Sequence, residues 1–402
     1  MYRLTPKTEI SARVRTLQER LSRDGVDGAF LVQNADLFYF TGSIQQGVLF
    51  VPADADPVYF VRRVYERAVE EAAIDRIVKI TSPKEIPAYF EKQKISFGTI
   101  GFELDVMPVL TFRRFSRLFP DAIAVDLSGV IRETRAVKGP SEIDAMRACG
   151  KHLAGLLSGA REWVRPGVTE TALGGILQGR AISAGHTTIT RMRAWNQEVG
   201  LGCIISGADA AIPSYADFPT AGKGSGPYVP VGQGHRTFRE NEPILVDLMW
   251  AQDGYLVDMA RTYVIGTLPE KLETAYGMAT EVMWKIESAT RPGAVAGDLY
   301  EIGMGMASRT PFAEQFMGAP GYNVKFIGHG VGIETDEFPF IAKGSKTVLA
   351  PGMTFALEPK FVFPSEGAVG LENTYLVTET GFEKLTLMDE KIIVCDAQGE
   401  GE

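Results

Sequence analysis

The sequence predicts a two-domain protein of the α/β (α+β) class, and three observations carry that prediction. The chain has 402 residues, more than one hydrophobic core usually organises. Its first third alternates short apolar runs with helical patterns. Near residue 140 a Gly-Pro break separates that third from a longer region in which acids stand inside apolar strands.

In the first third, "GAFLVQ", "GVLFVP", "PVYFVRR" and "TIGFE" read as strands, rich in Val, Phe and Ile and bounded by Gly, Pro or Asp. "ISARVRTLQERLSRDG" and "MPVLTFRRFSRLFP" carry the period of amphipathic helices. In "RETRAVKGPS", Gly139-Pro140 ends one element, and Ser141 with Asp144 marks the start of the next helix. The expected domains are 1–135 and 140–395. Within the second, "WVRPGVTETAL" and "ATRPGAVAGDLY" suggest an internal duplication, each ending a helix at Arg-Pro-Gly and beginning another.

Composition narrows the function. Hydrophobic residues make up 45% and charged residues 23% of the chain, as in soluble globular proteins. A net charge of -9 with no basic run argues against nucleic acid as a partner. No apolar run approaches a membrane span, and the charged first residues do not read as a signal peptide. The three cysteines form no CxxC pair and support neither a disulfide framework nor a thiolate zinc site, so a reducing cytoplasm is expected.

The chemistry lies in the acidic strands. "ILVDLMWAQDGYLVDMARTYVIG" reads as a β-hairpin turning at Asp253-Gly254. That register sets Asp258 opposite Met249 and makes Asp247 its diagonal neighbour on the same face. "MTFALEPKFVF" and "AVGLENTYLV" form a second hairpin, whose loop near Ser365 brings Glu358 opposite Glu372. Buried like charges need cations to balance them. With His329, in "GHGVGIETDEFP", these residues offer four carboxylates and one imidazole, a charge matching two divalent ions. The donor set favours Mn, Fe(II), Co or Zn. Two such ions can share a water, lower its pKa and polarise a neighbouring carbonyl. The glycines flanking His329 are expected to let the backbone approach the ions, and Glu334 is expected to be solvated.

The five residues, in order and at spacings of 11, 71, 29 and 14, resemble the ligand pattern of the pita-bread metallopeptidases: methionine aminopeptidase, aminopeptidase P, prolidase and their relative creatinase. "DMARTY" is similar to the family's D-x-T-R-T-F, and "GMTFALEP" to its G-M-x-F-x-x-E-P. "NADLFYFTG" and "AVKGPSEIDAMRACG" resemble the creatinase-type N-terminal domain and the entry into the catalytic domain. The resemblance implies a creatinase-like N-terminal α/β domain followed by a pseudo-twofold pita-bread domain, a dinuclear metal centre and a homodimer. Glu358 is then both ligand and proton shuttle.

Three positions depart from the family. Asp336 stands at a usual histidine, Ser214 in "SGADAAIPSY" at another, and Gly370 at a frequent arginine before the last ligand. An ionised Asp336 cannot donate to an oxyanion and would favour a cationic substrate; a protonated acid or an extra metal ligand are the alternatives. Ser214, Tyr215 and, from a Gly/Pro-rich stretch, His235 are the candidate substrate contacts. Trp195 is expected in the core, and His152 and His186 in structural roles. The expected function is hydrolysis of short Xaa-Pro peptides. The alternatives are a divergent C–N hydrolase or lyase acting on a small cationic metabolite, and a non-catalytic binding protein.

Overall fold

The computed structural model describes residues 3–396. The chain divides into two compact units, Met1–Arg135 and Ala136–Glu402.

The first unit opens with helix α1 (Lys7–Arg23), strand β1 (Gly28–Leu31) and helix α2 (Asn34–Thr41). Then come β2 (Gly47–Pro52), β3 (Val58–Val61), α3 (Tyr65–Glu71) and β4 (Arg76–Lys79). The unit closes with α4 (Ile86–Lys92), β5 (Thr99–Phe102), α5 (Val109–Ser116), β6 (Ile123–Asp126) and α6 (Ser128–Ala136). Its six strands make one mixed sheet in the order β4-β3-β2-β1-β5-β6. Phe30, Phe50, Phe60, Phe90 and Phe102 fill its core, with the Phe30 and Phe50 rings 4.7 Å apart. "NADLFYFTG" forms α2 because Gln33 Oε1 accepts from the amides of Ala35 and Asp36, and Gly42, at φ 84°, supplies the left-handed C-cap.

The second unit is built from two matching runs. The first comprises α7 (Pro140–Ala160), α8 (Glu170–Ser183), β7 (Gly202–Ser206), β8 (Pro243–Gln252) and β9 (Tyr255–Ile265). The second comprises α9 (Glu270–Ala289), α10 (Ala296–Ala307), β10 (Phe326–Gly330), β11 (Glu337–Ala342) and β12 (Thr354–Leu357). It continues through β13 (Lys360–Phe363), β14 (Gly367–Gly370), β15 (Asn373–Val377) and β16 (Phe382–Lys384); β17 (Ile393–Cys395) then runs parallel to β9.

Backbone hydrogen bonds make the duplication explicit. After each Arg-Pro-Gly turn, the Gly167 amide donates to Phe238 O as Gly293 donates to Leu349 O. In return, Phe238 donates to Val168 O as Leu349 donates to Ala294 O. Asp247 follows Phe238 by nine residues, and Glu358 follows Leu349 by nine. The halves meet where Ala260 and Glu372 exchange backbone hydrogen bonds of 3.3 and 3.0 Å.

Both hairpins keep the expected registers. Met249 faces Asp258, and Asp253 and Gly254 at the turn have φ of 52° and 89°, as a type I′ turn requires. In the second hairpin, Thr354 pairs with Leu376 and Lys360 with Gly370. That constant register turns about Ser365 and sets Glu358 level with Glu372.

The three cysteines are buried and free. Among the described residues no helix is long and apolar enough to cross a membrane. His152 stacks on the buried Trp250 at 5.0 Å, and His186 Nδ1 accepts from the Ala251 amide at 2.9 Å. Burial lowers the His186 pKa from its ordinary 6.5. Just below 6.5 the folded protein therefore binds fewer protons than the unfolded chain, and stability is lost as pH falls through that value. Thermal unfolding across this range should show a steeper acid decline for the wild type than for His186→Gln; equal slopes would exclude the histidine as its source.

Candidate metal centre

β8, β9, β10 and the second hairpin bring Asp247, Asp258, His329, Glu358 and Glu372 to the floor of one pocket of about 640 Å³. Asp258, Glu358 and Glu372 are buried. Donor atoms of Asp258, His329 and Glu372 lie within 4.8 Å of one another, and His329 Nε2 is 3.6 Å from Glu358 Oε1 and 3.8 Å from Glu372 Oε1. Glu372 Oε1 is buried without a hydrogen-bond partner. A carboxylate oxygen left so is costly unless a cation meets it. The residues present therefore fit a divalent ion with mixed oxygen and nitrogen donors.

A sixth residue enters the group. Lys360, 1% exposed, directs Nζ to Asp247 Oδ2 at 2.7 Å, Glu358 Oε2 at 2.7 Å and Glu372 Oε2 at 3.0 Å. Burial opposes its charge, but the carboxylates of Asp247, Glu358 and Glu372 outweigh burial and hold the ammonium well above the usual lysine range. Burial, reinforced by Asp247, pushes Asp258 well above the ordinary carboxylate range, and burial with Asp258 does the same to Glu372. In "ALEPKFVF" Lys360 follows Glu358 by two residues, the spacing at which side chains of an extended chain share a face.

The backbone around the ligands is fixed by close approaches. A Cβ at Gly328 would stand 2.3 Å from Ala356 O, and one at Gly330 would stand 2.4 Å from Phe338 C and O. The glycines beside His329 thus let β10 fit between β11 and β12, so they serve strand packing. Thr374 Oγ1 accepts from the Asp258 amide at 2.9 Å and donates to Asp258 O at 2.8 Å, fixing β9 against β15. Gly330→Ala forces the strands apart and is expected to cost about 1–3 kcal/mol. Thermal unfolding and metal titration of that variant, both weakened, would report it.

Residues 144–379 match metallopeptidase family M24, and residues 13–137 match the creatinase/prolidase N-terminal domain. The chain belongs to metallopeptidase family M24. It is similar to an Xaa-Pro dipeptidase of Lactobacillus delbrueckii subsp. lactis, 26% identical over 94% of this chain and 97% of the relative. It is 25% identical to an Xaa-Pro dipeptidase of Pyrococcus furiosus, over 95% of this chain and 99% of that one. The solved Xaa-Pro dipeptidase from Bacillus anthracis has the same fold, with a TM-score of 0.81, 21% identity and coverage of 96% and 99%. The fold is thus the pita-bread catalytic domain preceded by a creatinase-like α/β domain.

Within this M24 site, several expected residues take different places. Asp336 lines the pocket, but its oxygens accept from the backbone amides of Arg193 and Ala194, each at 2.8 Å. The carboxylate thus anchors that segment while lining the pocket. Ser214 lines the pocket with its hydroxyl proton donated to Pro230 O at 2.6 Å, and Tyr215 stands half-exposed beside it. His235 is exposed and is not among the residues that line this pocket. Trp195 is 84% exposed and not in the core. Glu334 is buried, with Arg193 Nη1 at 3.8 Å, and is not solvated. The pocket wall adds Phe218, Phe326, Phe340 and Tyr322, which carried no motif.

Proposed function

We propose that this M24 protein hydrolyses short peptides, with Xaa-Pro dipeptides and tripeptides the leading substrates, in a reaction that depends on a divalent metal. The observation that supports it most directly is the meeting of Asp258, His329 and Glu372 donor atoms within 4.8 Å on the floor of a pocket roomy enough for a short peptide. The donor set suits Mn, Co, Fe(II) or Zn.

An ion held there supplies a Lewis acid that polarises a carbonyl and lowers the pKa of a water. Asp258, His329 and Glu372 orient the ion. Glu358, whose Oε1 faces the same space, takes the proton of the attacking water and returns it to the leaving amine. Lys360 holds the other Glu358 oxygen at 2.7 Å, so that the carboxylate keeps one edge toward the substrate. Phe326, Phe340 and Tyr322 offer an apolar surface for a proline ring or another compact side chain.

The test is an assay of purified protein on Xaa-Pro dipeptides and Xaa-Pro-Yaa tripeptides, with added Mn or Co and with EDTA. Turnover that requires metal supports the reading. Metal-loaded protein that cleaves none of them would sink it.

A further inference from the structure

We propose that the ammonium of Lys360 is itself one of the two cations of this centre, so that the site takes a single divalent ion on Asp258, His329 and Glu372, with Glu358 beside it. This rests on the metal-dependent reading above, and it replaces the two ions expected from the number of carboxylates.

The geometry of the ammonium comes first. Its three N–H donors meet oxygens of three different residues, at 2.7, 2.7 and 3.0 Å. A metal ion binds carboxylate oxygens at about 2.0–2.2 Å. An ion reaching the same three oxygens would lie roughly 3 Å or less from Nζ. An ammonium and a second divalent ion so close would repel strongly in a buried site. On those three oxygens the two exclude each other.

Lys360 is also held where it is. It lies on β13, 1% exposed, and its carbonyl accepts from the Met317 amide at 2.9 Å. Across the rung stands Gly370, where a Cβ would come within 2.7 Å of Lys360 Cγ and 2.5 Å of Pro359 O. The space beside this side chain is cut to fit it, and a larger residue at 370 would displace it. The positive charge stands opposite Gly370 on the same rung.

The remaining edge of the cluster is left for one ion. Glu372 gives Oε2 to Lys360, while Oε1 is buried without a hydrogen-bond partner and lies 3.8 Å from His329 Nε2. Glu358 divides likewise, with Oε2 on Lys360 and Oε1 3.6 Å from His329 Nε2. Asp247 likewise has Oδ2 on the ammonium.

The test counts ions and does not read peptide turnover. The full chain is loaded with Mn(II), freed of unbound metal, and analysed by elemental mass spectrometry and by electron paramagnetic resonance. We expect one Mn per chain with the six-line spectrum of an isolated ion, and a rise to two per chain with an exchange-coupled signal in Lys360→Gly. Two ions per wild-type chain, or none, overturn the inference, as does a variant that stays at one. If the variant does not fold, the wild-type count and spectrum still decide. One ion per chain without peptide cleavage keeps this inference and removes the proposed substrate; two ions with cleavage do the reverse.

Discussion

His329→Ala should lower metal-dependent turnover by at least about 10²–10³-fold, the loss seen when one main stabiliser of a developing oxyanion is removed. His329 is the one nitrogen donor among the candidate ligands, and Nε2 lies within 3.8 Å of both Glu358 and Glu372 oxygens. Without it the ion would be held by carboxylates alone, and transition metals would lose the donor that sets them apart from calcium and magnesium. Binding supplies a second readout. Mn at a hundredfold excess over its dissociation constant stabilises a folded site by about 2.7 kcal/mol. For a unit of this size that is roughly 5–10 °C in melting temperature. The alanine variant should lose that metal-induced shift while keeping its melting temperature in EDTA near that of the wild type. A full shift retained in the variant would show that the imidazole is not a ligand.

Lys360→Met should have the largest effect on stability. The side chain keeps its length and apolar stem, but Asp247, Glu358 and Glu372 lose the cation they share. Removing one partner of a buried ion pair costs about 3–5 kcal/mol, or roughly 10 °C here. Melting in EDTA measures it, because metal is then unable to compensate. An unchanged melting temperature would mean that the three carboxylates do not depend on the ammonium. Added Mn should restore part of the loss, since the vacated oxygens can then coordinate.

Much of this architecture could be read in advance, for physical reasons that differ by element. The two ligand hairpins were legible because Asp253-Gly254 dictates a tight turn and because acids in apolar strands demand an explanation. Strands β1, β2, β3 and β5 were legible because burial on both faces makes them continuously apolar. Strands β4 and β6 were missed. They are edge strands, with burial patterns of exposed and half-buried residues, and so carry no hydrophobic signature. Trp195 and Glu334 were misplaced because side-chain chemistry alone ranks tryptophan as buried and glutamate as solvated. Here Glu334 meets Arg193 in the interior, and the segment pinned by Asp336 leaves Trp195 outside.

Lys360 was the most informative omission. A lysine within an apolar strand carries no metal-ligand signature, because an ammonium is not a ligand. Its proper comparison was with the ions. The count of carboxylates predicted buried positive charge, and on the inference above a lysine carries part of it.

The duplication gives this a wider meaning. Lys360 stands two residues after Glu358, and its counterpart two residues after Asp247 is Met249. Two copies of one ancestral motif ought to surround a shared centre with equivalent environments. A single residue breaks that equivalence: one half contributes a thioether, the other a permanent charge that no chelator can remove. Part of the centre's neutralisation is therefore encoded genetically, and its floor can assemble before any ion arrives. The cell's metal supply would then govern whether the protein works, and not whether it folds.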